Sequence, residues 1–184
     1  MFIMRRIILF LFLVTYIYAY SQNQDSINNF HTENNQVVWK KVFKTSLGFE
    51  QLLSRVKDSG LFKDVENEQT KMRCDLKYID TELFEYGVKN TNTAVFLINH
   101  FIEGFVIIDF KPGRYRVTLK KILLTEKNVD SLNIVGTSSF IEGEIFKYGK
   151  VEFNYQFKNH SSVMLNKMFT QYFDFNQIIC DDNW

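Results

Sequence analysis

Alternating apolar and polar residues predict strands in two early parts of the chain. VVWKKVFKT, which runs from Val37 to Thr45, mixes β-branched and aromatic residues with lysines. Trp39 and Phe43 fall on the same side of this stretch, as in a half-buried strand. A second stretch, between residues 71 and 78, alternates charged residues with the apolar set Met72, Cys74, Leu76 and Tyr78. Each stretch is therefore predicted to have one buried and one solvated face.

The middle of the chain predicts further strands and a tight hairpin. TAVFLINHF and FVIIDF are apolar on both faces, which is typical of strands inside a sheet. FVIIDF continues into KPGRYRVTL, where Pro112 presets a turn and Gly113 supplies a positive φ. Beyond Lys120 the apolar phase reverses to Ile122 and Leu124, which predicts a bulge or the end of the strand at Lys120-Lys121.

Two stretches have the helical period. SLGFEQLLSRVKDSG repeats apolar residues at i, i+3, i+4 and i+7, with Ser46 as a candidate cap and Gly60 as a stop. SSVMLNKMFTQYFDF carries the second apolar stripe: Met164, Leu165, Met168, Phe169, Tyr172 and Phe173. An irregular segment to about Phe146 and a further strand in KVEFNYQFK complete the prediction. The order favours an α+β fold, an antiparallel sheet covered on one face by two helices.

The N-terminal residues indicate export. Arg5 and Arg6 precede an apolar run over residues 7–18, and Ala19 and Ser21 fit a signal peptidase site. We interpret residues 1–21 as a signal peptide cleaved near Ser21, which leaves a periplasmic or secreted chain without a transmembrane segment. The alternative is an uncleaved anchor, but the run is shorter than the roughly 20 residues that span a bilayer.

The remaining chain is predicted to hold one domain. Residues 22–36 are polar and rich in Asn, so we expect a flexible leader there. Residues 37–184 are long enough for a single α+β domain with its own core. Removal of Arg5 and Arg6 leaves 20 basic residues against 21 acidic ones. Such a chain lacks the positive field on which nucleic-acid binding depends, so no nucleic acid is expected as a partner.

No motif in the sequence predicts catalysis, a cofactor or a metal. The three histidines His31, His100 and His160 lack the spacing of a zinc site. Cys74 and Cys180 enter an oxidising compartment, where they can form a disulfide. The alternative for Cys74 is a buried free thiol in a strand.

A row of cations gives the candidate binding face. On the strand after Gly113, Tyr115, Val117 and Leu119 share one side, and the other side carries Arg114, Arg116 and Lys120. Lys40 and Lys44 of the first strand can join this basic patch. One interpretation is a solvated strand face that deters edge pairing. The other is attraction to an anionic envelope component, such as a polysaccharide or a lipid headgroup, or to another envelope protein.

VVWKKVF, which leads into a short helix, and FVIIDFKPGRYRVTLKKI stand in an order that resembles a known family. This is a family of exported bacterial proteins of unknown function with a TBP-like fold, and the resemblance covers about residues 37–125. It implies a layout of strand, helix, four strands and helix, and it brings no catalytic residues. The function predicted from the sequence is a non-catalytic binding or envelope-associated module, and the alternative is an unrecognised periplasmic hydrolase.

Overall fold

The computed structural model describes residues 25–81, 97, 100–127 and 138–177. Its strands are β1 (Ser26–Ile27), β2 (Phe30–Glu33), β3 (Gln36–Lys44), β4 (Phe62–Glu68), β5 (Lys71–Asp80), β6 (His100–Lys111), β7 (Arg114–Glu126) and β8 (Ser138–Phe140). Its helices are α1 (Phe49–Asp58), the short α2 (Glu142–Ile145) and α3 (Ser162–Tyr172), with a π-helical turn at Phe157–Ser161 just before α3.

The strands form one antiparallel sheet in the order β1-β2-β3-β7-β6-β5-β4, and β8 pairs with the far end of β7. Strands that are neighbours in the sheet are also consecutive in the chain, except that β3 lies beside β7. The centre of the sheet is the long β6–β7 hairpin, in which Lys111 pairs with Arg114 across the turn. The placement of β3 against β7 brings the lysines of β3 next to the arginines of β7.

Both long helices cover the same face of the sheet. Phe43 of β3 stacks on Tyr115 of β7 at 5.1 Å between ring centroids. Phe110 of β6, on the other neighbouring strand, lies opposite Tyr115 in the register and therefore on the same face of the sheet. Phe49 of α1 packs against Phe110 at 5.8 Å. On the same side, α3 packs its buried apolar stripe against β3, as in the contact of Trp39 with Phe169. The predicted α+β class is therefore confirmed.

The ends of α1 show one correct and one wrong prediction. Its N-cap is Gly48, whose N–H donates to Oε1 of Gln51 at 2.9 Å, so the predicted cap at Ser46 is wrong by two residues. Gly60 has a φ of 68°, which is the left-handed conformation common just after a helix. The predicted stop at Gly60 is confirmed.

The predicted turn of the central hairpin is confirmed, and of the two alternatives predicted at Lys120-Lys121, a bulge or the end of the strand, the structure has the bulge. Gly113 has a φ of 82° in the turn after Pro112. Lys121 has a φ of 50°, and the β6–β7 register shifts between Glu103 and Phe105. The bulge turns the apolar phase of β7, so Ile122 and Leu124 are buried beyond it.

The expected flexible leader is wrong for residues 25–36. These residues form β1, β2 and the start of β3, and Phe30 is completely buried. Two Asn-Asn pairs make the turns: Asn28 and Asn29 have φ of 47° and 67°, and Asn34 and Asn35 have φ of 50° and 63°. Positive φ at both central residues is the signature of a type I′ hairpin, for which Asn is well suited. Residues 22–24 lie outside the described residues.

Two strand predictions also need correction, and β4 and β8 were not predicted as strands. In KVEFNYQFK only Phe153 forms a bridge, with Phe146, and the chain then turns helical. Phe153 and Phe157 are buried whereas Tyr155 is exposed, which is the i, i+4 pattern of a helix. Leu97 of TAVFLINHF has helical backbone, and the other described residues of that stretch begin β6. The edge strand β4 had no predicted counterpart.

Candidate binding face of the sheet

The face of the sheet opposite α1 and α3, called the open face below, carries the basic residues of β3 and β7. Successive side chains of a strand point to opposite sides, so those flanking the buried Phe43 and Tyr115 lie here. The structure brings all five predicted residues together on this face: Lys40, Lys44, Arg114, Arg116 and Lys120. Lys41 lies on the covered face instead, where its Nζ donates to Oγ1 of Thr170 at 2.7 Å.

Glu33 of β2 neutralises part of this patch. Its carboxylate forms an ion pair with Lys40, and its second oxygen lies 3.8 Å from Nζ of Lys120. The hydrogen bond from Lys40 is the main reason that the pKa of Glu33 lies below its ordinary value, against the opposing effect of burial. Lys40 and Lys120 are therefore already paired within the protein.

Asp109 of β6 neutralises cations that lie closer to the β6–β7 turn. Its carboxylate accepts a hydrogen bond from Nη2 of Arg116 at 2.9 Å and lies 3.4 Å from Nζ of Lys71. Burial acts to raise the pKa of Asp109, but Arg116 and Lys71 together outweigh it, so that pKa lies below the ordinary value. The carboxylate of Asp109 is therefore partly shielded from solvent and paired with two cations.

The row nearest the β6–β7 turn has no such acid. In the strand register, Lys44 of β3 lies directly opposite Arg114 of β7, and Arg114 lies directly opposite Lys111 of β6. Three cations therefore lie side by side across three strands. All three are exposed, and among the described residues none of them has an ion pair. We call Lys44, Arg114 and Lys111 the cation row. Like charges directly opposite each other destabilise a sheet, so the row carries an electrostatic cost in the free protein.

Lys111 was missed among the candidates because its place depends on the turn. A two-residue loop at Pro112 and Gly113 puts Lys111 directly opposite Arg114. The sequence contained this signal, since the turn itself was predicted correctly.

Exposed charge contacts of this kind are individually weak. A solvent-exposed ion pair is worth roughly 1 kcal/mol or less. Three such contacts give about 3 kcal/mol, whereas a dissociation constant of 1 mM needs about 4 kcal/mol. The cation row therefore cannot retain one small anion well.

Cys74 is not placed for nucleophilic chemistry. It lies on the covered face, 1% exposed, with Sγ 3.8 Å from the carbonyl oxygen of Val106. Burial, with a smaller effect of Asp75, raises the pKa of the Cys74 thiol to about 12. Cys180 lies outside the described residues, so the two alternatives for Cys74, a disulfide and a free thiol, both stay predictions.

The described histidines and carboxylates do not gather into a metal site. No group of three or more His, Cys, Asp or Glu that could hold a metal ion occurs within the described residues. His31 of β2 lies beside Glu33 and Lys40, and burial followed by the charge of Lys40 lowers its pKa. In the described part of the chain, no helix has the length and apolar character to cross a bilayer.

Comparison with known proteins gives two structural likenesses. No family model and no curated protein matches the chain. A solved TBP-like protein from Parabacteroides distasonis is similar over 80% of this chain and 96% of its own, with 15% identity and a TM-score of 0.49. A DUF4468 family protein from Bacteroides ovatus is similar over 74% of this chain and 84% of its own, with 11% identity and a TM-score of 0.42. Their descriptions agree with the resemblance seen in the sequence, and at these scores neither likeness carries an inference about function.

Proposed function

We propose that this protein is an exported, non-catalytic binding module that holds an anionic envelope component on the open face of its sheet. The observation that carries the proposal is the cation row. Lys44, Arg114 and Lys111 oppose one another without an acid. Farther from the turn, Asp109 pairs with Arg116, and Glu33 pairs with Lys40 and Lys120. An anion bound at the row would relieve the repulsion among its three cations.

The alternative, a periplasmic hydrolase, has less support. An activated thiol at Cys74 would favour an enzyme, but burial raises the pKa of that thiol to about 12, which keeps it protonated near neutral pH. The open face instead offers charge without a buried reactive group. It therefore favours binding over hydrolysis.

The envelope enters the proposal through the N-terminal sequence. Arg5, Arg6 and the apolar run over residues 7–18, followed by Ala19 and Ser21, support secretion and cleavage. The exported chain would then meet acidic polysaccharides and anionic lipids rather than nucleic acid. Residues 1–24 lie outside the described residues, so this step rests on the sequence.

The test is co-sedimentation with isolated envelope fragments at low ionic strength. The double variant Lys44→Gln/Lys111→Gln and the single variant Arg114→Gln should bind less than the parent, and added salt should weaken the parent in the same way. The control is Lys57→Gln/Lys150→Gln, which removes two exposed cations elsewhere, one on α1 and one before Val151. Equal binding by the parent and both row variants would refute the proposal, as would no binding by the parent.

A further inference from the structure

We infer that the ligand is a linear polyanion that lies across the strands along the cation row, as an acidic polysaccharide would. This inference rests on the proposed function and specifies its partner. It follows from the direction in which like charges repeat on the open face.

Across the strands the charges are alike, and along the strands they are not. From Arg114 along β7, the next open-face cation is Arg116, which is paired with Asp109, and Lys120 beyond it shares Glu33 with Lys40. A polyanion running along β7 would therefore approach two carboxylates. A polyanion crossing from β3 to β6 over Arg114 would meet cations only.

The dimensions of the row fit a chain better than a point charge. Neighbouring strands lie about 4.8 Å apart, so the three positions of the row span about 10 Å. A single carboxylate or phosphate reaches one or two of these side chains. A polymer with repeated charges can engage all three at once, and each further contact forms at high effective concentration.

An anionic bilayer fits the same surface less well. Surface binding to lipid is strengthened by apolar side chains that enter the headgroup region, in addition to the attraction of cations. Beside the cation row, β3 and β7 offer one exposed large apolar side chain on the open face, Val42 at 55%. A sheet is also twisted, so a planar membrane would touch only part of the face.

The experiment compares galacturonate oligomers of one, about three and about ten units at equal carboxylate concentration and low salt. The affinity per carboxylate of the parent should rise about tenfold or more from the monomer to the longest oligomer. Arg114→Gln, at the centre of the row, should lose most of that gain, whereas Lys57→Gln/Lys150→Gln should keep it. Two further probes are used. Phosphatidylglycerol vesicles test binding to an anionic lipid, and dextran tests binding to an uncharged polysaccharide.

The outcomes separate this inference from the proposed function. Equal affinity per carboxylate for monomer and oligomer, or a gain unchanged in Arg114→Gln, would overturn the linear polyanion while leaving envelope binding in place. Binding to the vesicles without binding to the oligomers would assign the row to lipid and overturn it as well. If the parent binds neither the oligomers nor the envelope fragments, the proposed function itself is wrong.

Discussion

The hydroxyl of Tyr115 donates a hydrogen bond to the carbonyl oxygen of Phe173 at 2.9 Å. The same hydroxyl accepts a hydrogen bond from the backbone amide of Phe175, also at 2.9 Å. One side chain of β7 therefore binds both ends of the turn that follows α3. Burial is the main reason that the pKa of Tyr115 lies well above its ordinary value. Arg55 of α1 adds hydrogen bonds to the carbonyls of Phe175 and Asn176, which ties both long helices to the central hairpin.

Tyr115→Phe should therefore destabilise the fold by about 1–3 kcal/mol, because it leaves a buried carbonyl and a buried amide without their partner. Urea unfolding of parent and variant measures the loss. The control is Tyr155→Phe, since Tyr155 is 76% exposed and its hydroxyl remains in water. Equal midpoints for Tyr115→Phe and the parent would show that the turn after α3 does not depend on this hydroxyl.

Gly104 is required by the bulge opposite it. A Cβ at this position would lie 2.8 Å from Cδ1 of Leu119 and 3.1 Å from the carbonyl oxygen of Lys120. Gly104→Ala should therefore cost about 1–3 kcal/mol through overpacking, measured by thermal or urea unfolding. Gly143→Ala is the matched control because a Cβ there meets nothing within 4 Å. If the two variants are equally stable, the backbone at the bulge is able to move aside.

The central hairpin was predictable because its signals are local. Pro112-Gly113 defines the turn, and the shift of apolar residues from Leu119 to Ile122 marks the bulge. The apolar stripes of α1 and α3 likewise depend only on helical spacing. These features are independent of distant parts of the chain.

The features that failed have two possible local interpretations or depend on distant partners. An Asn-Asn pair is as polar as a disordered leader, and it becomes a hairpin turn only when residues such as Phe30 find a core. Phe153 and Phe157 fit both the strand and the helix period. Glu33 pairs with Lys40 and Lys120 because β2 lies beside β3. No local sequence pattern could therefore predict which cations would be neutralised.

Cys74 should be unreactive while the protein is folded. In a Cys180→Ser variant, which leaves it as the only thiol of the chain, a maleimide reagent near pH 8 should label the native protein slowly and the urea-unfolded protein fast. The reason is burial, which both excludes the reagent and raises the pKa to about 12. Rapid labelling of the folded variant would contradict the placement of Cys74 in the core.

Export should remove residues 1–21. Intact-mass measurement of the protein recovered from the envelope and periplasmic fractions should give a chain that begins at Gln22, because Ala19 and Ser21 form the predicted cleavage site. A double variant Ala19→Leu/Ser21→Leu should block processing at this site, whereas Ser26→Leu should not. A recovered chain that still carries the apolar run would contradict the predicted cleavage.

Asp109→Asn should change stability and binding in opposite directions. The pKa of Asp109 is lowered in the folded protein, so its ion pairs contribute stability above the unfolded pKa of about 4, and that contribution is lost as the pH falls through the folded value. Because the pairs are partly exposed, the loss is about a few tenths of a kcal/mol. The variant should therefore be slightly less stable than the parent at pH 7 and nearly equal to it at about pH 2.

The same substitution should strengthen binding to dextran sulfate, which stays ionised over this pH range, because it releases Arg116 next to the cation row and removes a repelling carboxylate. We expect a several-fold gain in affinity at pH 7 and low salt. Asp58→Asn on α1 changes the net charge by the same amount and serves as the control. If both variants gain equally, binding responds to overall charge alone, and the open face has no special part in it.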